Sequence, residues 1–340
     1  MQGFPVPPRE RERLRELADE WGPDKTLDEL CTATARLLSY LGVPLETAPG
    51  LCIGALCAAD QKPRLFTESD LRTLNKLASF AVSMIKSYRA ALNFNDQLTS
   101  AMELQKQMLP GIAQIEAIEA SCPLQLANFY RARDGIGGDI WGIEASGPQR
   151  VLLYIADFAG HGIAAALNTA RFHSFVHMAS SRADKPASML RQLNERLHEV
   201  LPAGQFATMF CAALDFRSQT MEYASAGAPP QLYRRSQADP FELLEKPGLP
   251  LGIMRSAIYE SETVPFRPGG ALVLYTDGFI EIPRPPNPAF TPRSLAQLLN
   301  AFSRASAAGI CDKITGALFA DPSISMNDDL TLVVAQHRLA

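Results

Sequence analysis

In residues 77–110, apolar side chains recur alternately four and three residues apart over more than four heptads. This spacing places them along one seam of a single α-helix, and no Gly or Pro interrupts the seam before position 110. A seam of this length is typical of a coiled coil, whereas one long amphipathic helix packed on its own domain is the alternative. The polar residues Asn95 and Gln105 also belong to the seam, where they would set its register. The pattern therefore predicts a dimeric coiled-coil linker helix.

The pattern upstream of this helix is shorter and more mixed. After a Pro-rich start, residues 1–23 predict a tail with a charged helix near 9–20, and apolar spacing predicts a second helix over 27–41. The apolar run at 50–59 predicts a central strand that ends in a turn. Thr67-Glu68-Ser69-Asp70 then supplies helix-start chemistry for the long helix.

Beyond Pro110-Gly111, short apolar runs alternate with turns and with amphipathic segments. The runs predict strands at 206–215 and 219–226, which form a hairpin, and at 271–275 and 330–336. Helices are predicted at about 162–180, 186–201, 294–303 and 307–319, and the Pro-rich residues 283–288 predict an exposed loop. Mixed strands and helices favour a layered α+β domain over 111–340.

Four aspartates, most of them beside such apolar runs, stand out as candidate metal ligands: Asp139, Asp157, Asp277 and Asp328. A carboxylate at the end of a buried strand is costly unless a positive group meets it. No Lys or Arg adjoins these motifs except Arg131 and Arg133, which could equally orient a phosphate or be exposed strand charges. Any one Asp-Gly pair is more often a turn, but the four together predict a site for hard divalent cations.

Composition narrows the function classes. The formal net charge of -4 provides no basic field for nucleic acid, and 47% hydrophobic with 20% charged residues describes an ordinary globular protein. Six cysteines without a CxxC pair indicate neither a zinc site nor a disulfide framework. Because the N-terminus has no secretory pattern and no apolar run reaches the length of a membrane span, we expect a cytoplasmic protein.

Eight stretches, in order, resemble the metal-dependent serine/threonine protein phosphatases (PPM family), in the bacterial SpoIIE/RsbU-like branch, over about 98–340. The stretches are Met102–Pro110, Ile136–Asp139, Ile155–Gly162, Phe206–Phe210, Ala224–Gly227, Pro250–Ile253, Leu274–Gly278 and Asn327–Thr331. The resemblance implies an αββα sandwich that holds two Mn²⁺ or Mg²⁺ ions.

By the same resemblance, Asp157 would bridge both metals and the Phe158 carbonyl would be a further ligand. Asp277 and Asp328 would hold one metal, and Asp139 would bind the nearby metal-water shell. The implied reaction is hydrolysis of phosphoserine or phosphothreonine in a protein by a hydroxide that bridges the two metals. The implied substrate is a small STAS-type anti-sigma-factor antagonist in a partner-switching pathway.

Several positions depart from the family pattern. Ala132-Arg133 replaces the usual Pro-Ala, Ile140-Trp141-Gly142 replaces two aromatics and an Asp, and Ala159 and Ala228 stand where Ser and His are usual. None is a predicted ligand, but they keep open a catalytically weak or inactive relative that acts by sequestering a partner. For His161, a turn or supporting role is the favoured interpretation, and a general acid is the alternative. His173 and His177 lie four residues apart, a spacing able to bind metal, but that helix face has no acidic third ligand, so surface or core residues are the favoured interpretation.

Residues 24–90 resemble a truncated GAF sensory domain, chiefly in Ile53–Arg64 and in Phe66 to Leu77. The central elements that would wall a ligand pocket are missing, because Leu41 passes almost directly to Gly50. A degenerate dimerisation module without a ligand is therefore the favoured interpretation, and loss of an internal stretch from the chain is the alternative.

Overall fold

The computed structural model describes residues 39–60, 62–180, 185–282, 290–302, 304–320 and 326–339. The chain divides into two compact units, residues 1–96 and 97–340, and helix α1 (Glu68–Met108) belongs partly to each. The helix predicted near 9–20, most of the helix predicted over 27–41, and the Pro-rich loop lie outside the described residues. Along the described residues, no helix combines the length and the apolar character needed to cross a lipid bilayer.

The first unit contains an antiparallel hairpin and the N-terminal part of α1. Strands β1 (Ser39–Ala48) and β2 (Leu51–Asp60) pair from Ser39 opposite Asp60 onward. The helix predicted over 27–41 is therefore wrong for residues 39–41, which form the start of β1. The run predicted as a strand does form β2, and since among the described residues β2 pairs with β1 alone, its central position stays a prediction. The GAF resemblance stays a prediction.

Helix α1 confirms the long helix predicted from the heptad pattern. It begins with reciprocal hydrogen bonds in which the Asp70 carboxylate accepts from the Thr67 backbone N–H at 2.7 Å and the Thr67 hydroxyl accepts from the Asp70 N–H at 3.2 Å. One face packs on the hairpin through Leu74 and Ala78. The predicted seam lies on the adjacent face of the helix and is largely exposed in the single chain.

The second unit is a sandwich of two antiparallel sheets with helices on both outer faces, as predicted. One sheet has the order β10 (Glu262–Pro265), β7 (Thr220–Ala226), β6 (Ala207–Asp215), β5 (Arg150–Phe158) and β4 (Asp139–Gly147). The other has the order β3 (Leu124–Arg131), β12 (Leu330–His337), β11 (Ala271–Tyr275), β8 (Gln231–Arg234) and β9 (Glu242–Leu244). The helices are α2 (Ile112–Ser121), α3 (Ile163–Ser180), α4 (Pro186–Val200), α5 (Gly278–Glu281), α6 (Pro292–Asn300) and α7 (Ala307–Leu318).

The central strands β5, β6, β11 and β12 are largely apolar because both of their faces are buried. Along β5, Val151, Leu153 and Ile155 lie in the core between the sheets, whereas Leu152 and Tyr154 lie in the core that α3 and α4 cover. Helices α6 and α7 cover the outer face of the second sheet in the same way. Alternate side chains of each of these strands therefore lie in two different cores. The central strands themselves are largely apolar, so the polar residues stand out at the strand ends.

Candidate metal site at the sheet ends

Two of the predicted aspartates face each other across neighbouring strands of the first sheet. Asp139 is the first residue of β4 and Asp157 the penultimate residue of β5, and the antiparallel register pairs them directly. Directly opposed residues on one sheet face have their side chains in close proximity. The register therefore brings two carboxylates together that are eighteen residues apart in the sequence.

The second sheet supplies the other carboxylates. Asp277 follows the end of β11, and Asp328 precedes the start of β12, which is the antiparallel neighbour of β11. The charge of the Asp157 carboxylate interacts with those of Asp139, Asp277, Asp328 and also Asp329. The four sequence-predicted aspartates thus lie around one place, and Asp329 joins them.

Burial makes this cluster electrostatically strained. Burial, and then the charge of Asp329, raise the pKa of Asp139 well above its ordinary value. Burial and the neighbouring carboxylates raise the pKa of Asp157 to about 10, and burial, with Glu281 and Asp328, raises that of Asp277 to about 6. In the described part of the chain, no Lys or Arg side chain forms an ion pair with these carboxylates.

Two threonine hydroxyls hold the Asp139 carboxylate. Thr276 and Thr331 each donate a hydrogen bond to its Oδ2 atom, at 2.7 and 2.6 Å. Thr276 immediately follows β11 and Thr331 lies in β12, so these bonds tie the first sheet to the second. Sequence reasoning missed both residues, although each lies within the Asp277 or Asp328 motif.

The glycine pair before Asp139 is required by close approaches. A Cβ on Gly138 would lie 2.6 Å from the Phe158 carbonyl oxygen and 3.2 Å from the Asp157 Oδ1 atom, and one on Gly137 would overlap the Asp329 carboxylate. Asp329, which the sequence did not single out, accepts a hydrogen bond from the Gly138 N–H at 2.6 Å. This loop is therefore fitted directly against the carboxylate cluster.

Gln105, near the end of α1, also holds this loop. Its side-chain amide donates to the Gly137 carbonyl at 2.6 Å and accepts from the Gly137 N–H at 3.0 Å, and it donates to the Thr169 hydroxyl at 3.2 Å. Placing Gln105 on a coiled-coil seam was therefore wrong. Gln105 is buried, and its side-chain amide is the hydrogen-bond partner of both the N–H and the carbonyl of Gly137.

The charged residues around the cluster separate into two groups. The Arg133 N–H donates to Asp329 Oδ1 at 2.8 Å, and its guanidinium donates to the Asn327 carbonyl at 2.8 Å. By contrast, the guanidinium of Arg131 lies 5.7 Å from the ring centre of Phe319. His161 is half exposed and pairs with Asp134 at 3.0 Å. Arg133 is thus the arginine that belongs to the site.

The donor set fits divalent cations. Within the described residues, no three His, Cys, Asp or Glu side chains are already arranged around one point as in a formed metal site. The groups gathered here are nevertheless carboxylates with one backbone carbonyl, and no basic side chain in the described part of the chain forms an ion pair with them. Hard cations such as Mg²⁺ and Mn²⁺ prefer oxygen ligands of this kind.

Comparison with known proteins identifies the second unit. Residues 147–338 match the family model of Stage II sporulation protein E (SpoIIE). The chain is 27% identical over 194 residues to the phosphoserine phosphatase RsbP of Bacillus subtilis, covering 56% of this chain and 46% of that protein. It is 28% identical over 191 residues to the phosphoserine phosphatase RsbU of the same organism, covering 56% of this chain and 57% of that protein.

The matched region thus spans about half the length of these curated relatives. The SiaA-PP2C domain of Pseudomonas aeruginosa superposes with a TM-score of 0.63 at 21% identity, covering 74% of this chain and 98% of that domain. The shared sandwich and the family match, which extends over more than half of the chain, agree with each other. The chain belongs to the SpoIIE family and has the PP2C phosphatase fold.

Proposed function

We propose that this chain is a divalent-cation-dependent protein phosphatase that hydrolyses phosphoserine or phosphothreonine in a protein substrate. The observation that carries the proposal is the cluster of aspartates at the ends of both central sheets, whose carboxyl pKa values are raised and which no basic side chain of the described residues pairs with. The names of the relatives RsbP and RsbU support phosphoserine as the substrate group.

The residues that would hold two Mn²⁺ or Mg²⁺ ions are Asp157, Asp277 and Asp328 with the Phe158 carbonyl, and Asp139 would bind through water. When bound, such a pair of ions lowers the pKa of a shared water and neutralises phosphate oxygens, so that no phosphorylated enzyme is required. The chain's own contribution is to hold these carboxylates in place.

The two threonine hydroxyls on Asp139 serve this purpose, because a carboxylate bound by two donors on one oxygen has a defined orientation. Asp329 has a different part. Its two oxygens are taken by the N–H groups of Arg133 and Gly138, so it fixes the loop that leads to Asp139. A site of this kind depends on the supporting residues as much as on the ligands.

For the substrate, we propose a phosphorylated STAS-type anti-sigma-factor antagonist in a partner-switching pathway. The sequence motifs of the SpoIIE/RsbU-like branch and the similarity to RsbU and RsbP support this choice. A seryl phosphate on a small folded domain would have to reach carboxylates at the sheet ends, where Asp157, Asp277 and Asp328 are only partly buried.

The proposal is tested by phosphate release from p-nitrophenyl phosphate and from a phosphoserine-containing STAS domain. We expect release with Mn²⁺ or Mg²⁺, none with a chelator, and none from the Asp157→Asn variant in either metal. If the folded wild-type protein binds the phosphorylated domain but releases no phosphate with any of these cations, the chain is instead a binding protein that sequesters its partner.

We further propose that two copies associate through the exposed seam of α1. Leu77, Met84 and Tyr88 are 53%, 58% and 67% exposed in the single chain, and they lie on one helix face beside the face that packs on the hairpin. Large apolar side chains repeated along a helix in this way mark an interaction surface. A second copy presents the same surface, so a symmetric contact buries both.

The test is light scattering of the wild type and of Leu77→Glu with Met84→Glu, which would place charges in the seam. We expect a dimer for the wild type and a monomer for this variant. The matched control is Asn75→Glu with Ser79→Glu, which changes exposed residues on the opposite side of the same helix and should remain a dimer. A monomeric wild type, or a seam variant that is still a dimer, would refute the proposed association.

A further inference from the structure

A second group of metal-ligating side chains lies between α3 and β4. Glu144 is on β4, and His173 and His177 are on α3, and all three line a cavity of about 430 Å³. Glu144 pairs with Leu152, whose side chain lies in the core that α3 covers, so Glu144 is on the helix side of the sheet. It is five residues from Asp139 along the strand, roughly 17 Å at 3.3–3.4 Å per residue, and so well separated from the aspartate cluster.

The spacing of the two histidines and the distance between His177 and Glu144 are compatible with a shared cation. His173 and His177 are four residues apart and therefore lie on one face of the helix. The Nδ1 atom of His177 is 3.5 Å from Glu144 Oε1, which is longer than a good hydrogen bond. Two ligand atoms on a tetrahedral cation with bonds of about 2.1 Å are ~3.4 Å apart. Glu144 on the neighbouring strand is thus a candidate for the acidic third ligand that the helix sequence lacks.

The pKa of His173 and the exposure of His177 also suit a cation. Burial, and then the nearby His177, lower the pKa of His173, which favours the neutral form that binds metals. The His177 side chain is 82% exposed, so its ring can turn toward a bound ion at little cost. Such rotation is needed, because within the described residues the three ligand atoms are not already arranged around one point.

We propose that Glu144, His173 and His177 form a second metal site, which takes a first-row transition cation such as Zn²⁺ and ties α3 to β4. Two imidazoles with one carboxylate are a donor set that Zn²⁺ uses, whereas Mg²⁺ prefers oxygen ligands alone. The two sites therefore differ in ion preference. The tie would join two elements that flank the aspartate cluster, since β4 begins at Asp139 and α3 begins five residues after Phe158.

The experiment measures Zn²⁺ binding to the full chain in excess Mg²⁺, by competition with a chromophoric chelator, and follows the Co²⁺ absorption spectrum as a report of tetrahedral coordination. We expect one tight equivalent of Zn²⁺ that is retained in Asp157→Asn. We expect its affinity to fall at least about tenfold, or ~1.4 kcal/mol, in His177→Ala and in Glu144→Gln. His198→Ala, on α4, is the matched histidine control and should bind as the wild type does.

The Glu144→Gln variant distinguishes a three-ligand site from a simple histidine pair. If it binds Zn²⁺ as tightly as the wild type, only the two imidazoles bind and the proposal is wrong. If Asp157→Asn binds no Zn²⁺ in excess Mg²⁺, all of the Zn²⁺ belongs to the aspartate cluster and the proposal is also wrong. Circular dichroism of each variant confirms that a loss of binding is not a loss of folding.

Discussion

Replacing Asp157 by Asn separates the function of the aspartate cluster from its cost to the fold. The substitution keeps the shape of the side chain but removes the charge that would be shared between two cations. We therefore expect Asp157→Asn to lose phosphatase activity and, in the absence of cations, to be more stable than the wild type.

The size of the stability gain follows from the burial of this carboxyl. Its surroundings raise its pKa to about 10, so in the cation-free protein it is protonated at neutral pH. Neutral pH is roughly three units above the ordinary carboxyl pKa, so this group is ionised in the unfolded chain and must take up a proton on folding. At ~1.4 kcal/mol for each pH unit, that proton uptake costs about 4 kcal/mol. The amide avoids this cost, which sets about 4 kcal/mol as the upper bound of the gain.

The assay combines urea unfolding with kinetics. Unfolding free energies are measured in chelator and in saturating Mn²⁺, and turnover is measured with p-nitrophenyl phosphate. Without cations, we expect the variant to be more stable than the wild type, and with Mn²⁺ the order should reverse or the gap should close. We expect kcat to fall at least about a hundredfold, ~2.7 kcal/mol of transition-state stabilisation. The matched control is Asp312→Asn, an exposed aspartate on α7, which should change neither quantity.

Two outcomes would refute the reasoning. Turnover close to that of the wild type in a correctly folded variant would remove Asp157 from the reaction. A cation-free variant that is less stable than the wild type, and that still gains the same stability from Mn²⁺, would show that burying the Asp157 carboxyl is not costly and that this group is not a cation ligand.

Three other outcomes are expected from the surroundings of the cluster. Gly138→Ala should lower kcat about tenfold or more, because its methyl would lie 3.2 Å from Asp157 Oδ1 and 2.6 Å from a backbone carbonyl. Gln105→Leu should lower the unfolding free energy by about 2 kcal/mol, because it leaves buried backbone groups without partners. The stabilisation by Mn²⁺ should grow as the pH rises through about 6. The pKa of Asp277 is raised from 3.8 to about 6 in the folded protein, so the contribution of Asp277 to the stability of the cation-free protein falls between pH 3.8 and about pH 6, as the proton is lost.

Each of these has a direct check. Steady-state kinetics in saturating Mn²⁺ test Gly138→Ala, and an unchanged kcat would contradict the close fit of the loop. Gln107→Leu, an exposed glutamine on the same helix, is the control for Gln105→Leu, and equal stabilities would contradict the buried contact. Thermal unfolding with and without Mn²⁺ across the pH range tests the third, and a shift in melting temperature that is independent of pH would contradict it.

The sequence alone predicted the layered fold and singled out four of the aspartates that the fold brings together. Strand runs at 271–275 and 330–336 were readable because both faces of these strands are buried, which leaves an uninterrupted apolar run. The aspartates beside such runs were readable for the same reason, since charge is costly there unless it is compensated. The heptad spacing likewise predicted α1 almost to its last residue.

The features that the sequence did not predict depend on contacts between residues that are distant along the chain. Residues 39–41 continue a helical apolar pattern, but their pairing with a strand that ends at Asp60 makes them β. Gln105 fits the heptad seam by spacing, and only the nearby Gly137 loop shows that it is buried.

Asp329 and Glu144 show the same limit. Each looks like an ordinary acidic residue in the sequence, and its role is set by a segment that the fold brings against it: the Gly138 N–H in one case and the histidines of α3 in the other. The spacing of apolar residues along the sequence shows which face of a helix or strand is buried, because buried positions repeat with the period of that helix or strand. Which polar groups meet there is decided by sheet register and helix packing, so only the tertiary structure could show it.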